Sequence, residues 1–360
     1  AAPAPAAAGA GSVGWLPPLG EMGEAAASGE AGATVLPLFP IGTVAYMPHS
    51  SHELNIFEPR YRRLYDDILV SGSRRFVVPS VHPDGERLAE VGVVLYLTDL
   101  RDVSEETSDQ VKYVCQHDVI GRVRIKRILN PGSWEDGSTY LRAETTPLED
   151  DDNGEDLEAK EAEVMEILGE VTRFQKDLDV AQISPDFADH VSASREKTGG
   201  LWSLVGLWAE YYDFLVAERR AVLDEDLHRI YWTYMEDRDD LELDWDETEA
   251  AGWVADDFDD VEDDDEDEDD YVPDDVFVED LPPRLQAEVR RLQDQFDDES
   301  TSLLTAQAEL VQLALQSRSH GERLALLRGA FVAERQRLAA KAAVRAAVSE
   351  PGEGATDAQD

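Results

Sequence analysis

The chain has 360 residues, 42% of them apolar, and a formal net charge of −47. That is length for two or three domains and enough apolar content for a core, so a wholly disordered chain is excluded, and the charge opposes nucleic acid and anionic lipid as partners. A single cysteine, Cys115, excludes an intrachain disulfide and fits a reducing compartment, and no run of 18 apolar residues offers a membrane span.

The acidity is regional. Thr34–Pro147 carries 13 basic and 16 acidic residues, Leu148–Asp280 carries 9 and 48, and Leu281–Glu350 carries 10 and 9. A halophilic surface would spread the charge, whereas a block of like charge is usually solvated and serves as an interaction segment that attracts basic proteins.

In chain order, residues 1–32 are rich in Ala, Gly and Pro ("AAPAPAAAGAGSVGW") and are expected to form a disordered leader, read as the mature end left by removal of an organelle-targeting peptide. Residues 33–148 read as mostly β. "TVLPLFP", "TVAYMP", "RRFVVPSV", "EVGVVLYLTDL", "QVKYVCQHDVIGRVRIKRIL" and "STYLRAETTPL" are β-branched or alternating runs punctuated by Gly, Pro, Asn and Asp. One helix interrupts them. Pro59 suits its first turn, and Tyr61, Leu64, Tyr65, Ile68 and Leu69 recur at helical spacing. Short strands with one helix predict a small β-barrel.

Residues 155–240 are expected to be helical. One helix carries Val164, Ile167, Leu168, Val171, Phe174 and Leu178; a second starts near Ser184. A third, Leu201 to Met235, places Trp202, Val205, Trp208, Tyr212, Leu215, Leu223, Ile230 and Tyr234 on a broad core-facing stripe. Residues 241–280 form an acidic insertion expected to be disordered, with 13 of the 15 residues Asp256–Asp270 acidic. Residues 281–350 return to helix after Pro283, and Ser319 with Glu322 fits a capping box.

Chemistry-bearing patterns are missing. There is no phosphate-binding loop, dinucleotide fingerprint or nucleophile elbow. His49 and His52 lack further ligands. "EDDDNGEDLEAK" has Lys160 where a calcium loop needs a bidentate Glu. Cys115 and His117 share a strand face, a pairing better read as an ordinary half-buried thiol than as an activated nucleophile. No catalytic residue, metal or cofactor is therefore expected. Arg122, Arg124 and Lys126 alternate along one strand, either as a solvated face or as a strip meeting RNA or an acidic segment.

"LPLFPIGTVAYMP", "HELNIFEPRYRRLYDDIL", "RRFVVPSV", "AEVGVVLYL" and "VIGRVRIKRIL", in that order over about 115 residues, resemble the N-terminal domain of Lon proteases. The "IFEPRY" junction is the most specific element. The pattern departs from the family at Tyr46–His52 and at Val123, where the family has an aromatic residue. The resemblance implies an α+β fold, a PUA-like barrel followed by helices, that recognises polypeptides and does not catalyse. Nothing in the chain resembles the ATPase or peptidase modules of a full Lon protease, so the resemblance is to stand-alone Lon-domain proteins of plant and algal plastids. It implies a chloroplast location, with mitochondrion as the alternative, and a protein partner, either a basic protein or a large complex. Candidate partner-binding residues are Phe57, Arg60, Tyr61, Arg122, Arg124 and Lys126. The alternative roles are an adaptor for an ATP-dependent protease, an assembly factor for an organellar complex, and an RNA-binding PUA-like protein.

Overall fold

The computed structural model describes residues 12–42, 46–82, 84–151, 157–178, 180, 200–246 and 278–349. The first eleven residues, the helix expected from Ser184 and the acidic tract Asp256–Asp270 lie outside the described residues. The chain forms two compact units, Ala1–Asp213 with Leu303–Asp360, and Phe214–Ser302.

The first unit is built on a closed, mixed β-barrel. Its strands are β1 (Thr34–Leu38), β2 (Ser51–Ile56), β3 (Arg75–Val81), β4 (Leu88–Asp102), β5 (Tyr113–Ile128) and β6 (Leu141–Pro147). The order is β2-β5-β4-β3-β1-β6, and pairing of β5 with β6 closes the ring. Every pairing is antiparallel except β1 with β3. β5 is long enough to pair with β2 along its first half and with β6 along its second. Helix α1 (Pro59–Val70) follows β2, and a short α2 (Ser133–Asp136) lies before β6.

Local sequence explains the curvature. A Cβ on Gly92 would lie 2.7 Å from Val77 Cγ1 and 3.0 Å from the Val78 carbonyl oxygen, so only glycine lets β4 approach β3 this closely. Gly121 borders a β-bulge, where the β4–β5 register steps from Val94↔Gly121 to Leu95↔Val119. Pro37 sits inside β1. It is tolerated because β1 pairs only with β6 at that point, and β3 joins only at Leu38. In "TVAYMP", Thr43–Ala45 are outside the described residues, and Tyr46 and Met47 are buried without joining a strand.

The expected disordered leader is corrected over its described part. Trp15 bridges Ala89, and Leu16 and Leu19 enter the barrel's core cluster. Apolar residues at 16, 19 and 22 give this Pro/Gly-rich stretch a face to bury, which composition alone conceals.

Beside α1 and α2, the described helices of the first unit are α3 (Glu158–Leu178), the beginning of α4 (Gly200–Asp246), the end of α5 (Pro283–Gln316) and α6 (His320–Ser349). α3 and α6 run parallel. Arg328 meets Glu163, Arg335 meets Glu170, both at 2.6 Å, and Arg345 reaches the Leu178 carbonyl at 2.7 Å. The stripe on α3 is buried at Val164, Ile167, Leu168, Val171 and Leu178. Trp208 of α4 packs on Phe331 of α6, with ring centroids 4.5 Å apart. The capping box opens α6: the Glu322 amide donates to Ser319 Oγ, and the Arg318 amide donates to Glu322 Oε2. In the second unit, Ile230, Leu281 and Val289 form a small core with Leu227, Tyr231 and Leu285 packed on it. α4 continues to Asp246, past the expected helical boundary at 240.

Candidate functional site

Among the described residues, β2 is the one strand that stands outside the closed ring. It pairs with β5 on one side, and among the described residues no strand covers its other edge. The Val119 amide donates to the Ser50 carbonyl, and the Lys112 amide donates to the Ile56 carbonyl. Even-numbered residues therefore face β5, and alternation leaves the amides of Ser51, Glu53 and Asn55 directed outward. Their side chains are also exposed, whereas Ile56 is buried.

At the end of this edge stands Phe57, 57% exposed. Ile56, Tyr61, Leu64, Tyr65 and Ile68 are buried and hold α1 in place, whereas Phe57 points to solvent. The backbone beneath Phe57 is fixed by Arg62. Its Nε donates to the Phe57 carbonyl at 2.9 Å, its Nη1 reaches both carboxylate oxygens of Asp109, and its Nη2 donates to the Asp109 carbonyl at 2.7 Å. Asp109 and its neighbour Ser108 have positive φ, 62° and 53°, so the β4–β5 loop makes a tight turn to meet the guanidinium.

Arg60 pairs with Glu58 at 2.8 Å, and its guanidinium lies 4.7 Å from the centre of the Tyr61 ring. Tyr61 is only 5% exposed and packs on Phe39 at 3.9 Å, and burial pushes its hydroxyl up to about 12. It supports the surface from beneath. Of the three sequence candidates at this junction, Phe57 is exposed, Arg60 is partly buried in its pair with Glu58, and Tyr61 is buried.

The basic strip on β5 is not continuous. Arg122 is buried and binds within the chain: Nη1 donates to the carbonyls of Leu315 and Ser317, and Nη2 to Asp150 Oδ1 at 2.6 Å. Arg323, fully buried, grips the same carboxylate, and Trp202 lies 4.9 Å from one guanidinium and 4.4 Å from the other. Arg124 pairs with Glu90 at 2.9 Å, and Lys126 alone is left exposed. Alternation on a strand correctly separates Arg122 from Val123 in direction, but helices cover the face on which Arg122 lies.

Cys115 and His117 lie inside the barrel, both fully buried. Burial pushes the Cys115 thiol up to about 12, the opposite of an activated nucleophile. Burial also lowers His117 to about 4, and the Tyr65 hydroxyl lies 2.8 Å from its Nε2. His49 and His52 join no metal-binding cluster, and none occurs among the described residues. Among those residues no helix is long and apolar enough to cross a membrane.

The family model for the substrate-binding domain of ATP-dependent protease La (LON) matches residues 35–226, more than half of the chain. The chain belongs to the Lon substrate-binding domain family. The match runs past the barrel, through α3 and into α4. Among solved structures, the Lon N-terminal domain protein from Xanthomonas campestris is 24% identical, covering 37% of this chain and 71% of that one, with a TM-score of 0.29. The N-terminal domain of Lon protease from the Mycobacterium avium complex is 13% identical, covering 40% and 69%, with a TM-score of 0.30. No curated protein gives a significant match.

Within this Lon domain, sequence reading missed the clamp formed by Arg62 and Asp109. The two lie 47 residues apart, and no local pattern announces such a pair. It also missed Arg323 and Asp150, whose meeting requires the barrel and the last helix to be assembled.

Proposed function

We propose that this chain recognises polypeptides in extended form and has no catalytic centre of its own. The observation that carries the reading is the open edge of β2, ending in a solvent-exposed Phe57 whose backbone is held by Arg62. An added segment would find outward amides at Ser51, Glu53 and Asn55 for main-chain pairing, and an aromatic anchor at the end of the row. A rigidly held aromatic residue is the type that dominates binding energy at interfaces. Membership of a substrate-binding family supports the same reading. The acidic stretch from Leu148 to Asp280 favours basic polypeptides over nucleic acid, and the internal contacts of Arg122 and Arg124 weaken the RNA alternative.

The test is fluorescence anisotropy of a reduced, alkylated, permanently unfolded basic polypeptide titrated with the full chain. Phe57→Ala should weaken binding by about tenfold or more, the loss expected from a hot-spot aromatic. Asn55→Pro, which removes one outward amide from an edge strand that tolerates proline, should weaken it as well, with the melting temperature little changed. Absence of binding, or binding indifferent to both substitutions, would refute the reading.

A further inference from the structure

The barrel has a second, different edge, and it is already filled. Pairing of β4 with β5 begins only at Val91↔Arg124, because β5 turns away at a register shift between Ile125 and Arg127 to join β6. The first residues of β4 are thereby left without β5. Residues 14–19 take that place. The Glu90 amide donates to the Gly14 carbonyl at 2.9 Å, the Leu16 amide to the Leu88 carbonyl at 2.8 Å, and the Leu19 amide to the Glu86 carbonyl at 2.9 Å. Trp15 bridges Ala89 in antiparallel sense.

The side chains follow a regular plan. Leu16 and Leu19 are buried in the barrel's core cluster beside Leu88 and Ile128, and Met22 packs against the same cluster with Trp134. The Trp15 ring stands edge-on to His82 at 4.7 Å. Between the leucines, Pro17 is exposed and Pro18 is extended, with φ −54° and ψ 134°, the polyproline geometry. The chain thus lies against β4 as an extended Trp15–Pro18 stretch that enters a single 3-10 turn at Leu19–Glu21, held by main-chain bonds to β4 and by Leu16 and Leu19 buried in the core cluster. This is how peptide-binding domains hold their ligands. The segment leaves through an exposed turn in which Gly29 and Gly32 both have positive φ and open space around them.

We infer that the groove at the start of β4 is a docking site for aromatic–Leu–Pro–Pro–Leu segments of partner polypeptides, extended up to a turn at the second leucine, and that residues 14–22 occupy it as an internal competitor. The inference goes beyond the β2 edge and does not depend on it. Its pre-ordered proline pair lowers the entropy lost on binding, for the internal segment and for a foreign one alike.

The test uses the full chain with a site-specific protease sequence replacing Glu30–Gly32. After cutting, the segment is held by non-covalent contacts alone. A fluorescein-labelled peptide of residues 12–30 is then added in excess, with size-exclusion chromatography and circular dichroism reporting assembly and folding. The expected result is release of the internal segment, saturable uptake of the labelled peptide and a barrel that still melts cooperatively. An unrelated peptide with a Phe-Leu-Pro-Pro-Leu core should compete, and Leu19→Asp in the peptide should lower its affinity at least about tenfold, since a carboxylate replaces a buried apolar group. A cut protein that never exchanges its segment, or that unfolds when the segment leaves, would overturn the inference and make residues 14–22 a fixed part of the fold. A concentration-dependent dimer of uncut chains exchanging these segments would overturn the foreign partner in favour of a second copy of this chain. Loss of binding at Phe57 would leave all of these readouts unaffected.

Discussion

His117 shows how burial turns an ordinary titration into a stability term. Its folded value, about 4, lies below the ordinary imidazole value of 6.5 because burial disfavours the imidazolium. The unfolded chain therefore binds the proton first as the pH falls. The contribution is complete above about 6.5, declines between 6.5 and 4, and is fully lost below that, amounting to roughly 3 kcal/mol. His52, opposite His117 in the β2–β5 register, is also lowered by burial and acts in the same direction. Urea melts at pH 7 and pH 4.5 should show this loss, and His117→Gln should flatten the difference between them. A wild-type stability that rises on acidification would contradict the assignment. At the same scale, Arg62→Ala should leave Phe57 in place chemically but free its backbone. The pair with Asp109 is partly exposed, with side-chain values of 23% and 66%, so stability should fall by less than about 1 kcal/mol. Binding of an unfolded polypeptide should suffer more than stability does, which anisotropy and melting on the same preparation would separate.

Among the elements, β4 depends on close approach and the helices depend on apolar seams. Gly92→Ala places a methyl 2.7 Å from Val77 Cγ1 and near the Val78 backbone, which must shift to make room. Overpacking of this kind should cost about 1–3 kcal/mol, read as a lower urea midpoint. The ladder between α3 and α6 is a contrasting case. Its ion pairs are about half exposed at Arg328 and Glu163, so Glu163→Gln should cost less than about 1 kcal/mol. Leu327→Ala, at a fully buried position on the same helix, should cost about 2–5 kcal/mol. The two variants compared by thermal melting would show that burial, not charge pairing, holds these helices together.

For the molecule as a whole, the net charge falls in sequence after the barrel, between Leu148 and Asp280, and one carboxylate organises the first unit. Asp150, just beyond β6, accepts from Arg122 of β5 and Arg323 of α6, while Trp202 of α4 lies beside both guanidinia. Despite its burial, Asp150 is held below the ordinary carboxylate value by Arg323 and Arg122. Its contribution is thus present above the unfolded carboxylate value and lost as the pH falls through the lowered one. Asp150→Asn should destabilise the first unit by about 2–3 kcal/mol. A fully buried pair would lose more, but the Asp150 side chain is 32% exposed. A stability loss at pH 7 confined to the melting of this unit, and shrinking in acid, is the expected result.

The sequence by itself determined the barrel, the helix after "IFE" and the stripes on α3 and α4, because each depends on short-range periodicity, on proline and glycine, or on the order of a few strand motifs. It placed the capping box at Ser319 for the same reason. Only the tertiary structure decided that Phe57 is presented while Tyr61 is covered, that Arg122 turns inward to Asp150, and that residues 14–22 fill the edge of β4. Those outcomes depend on which surfaces meet after strands and helices far apart in the chain have packed. Periodicity specifies the face of an element on which a residue lies, but the elements packed against that face determine whether it meets solvent.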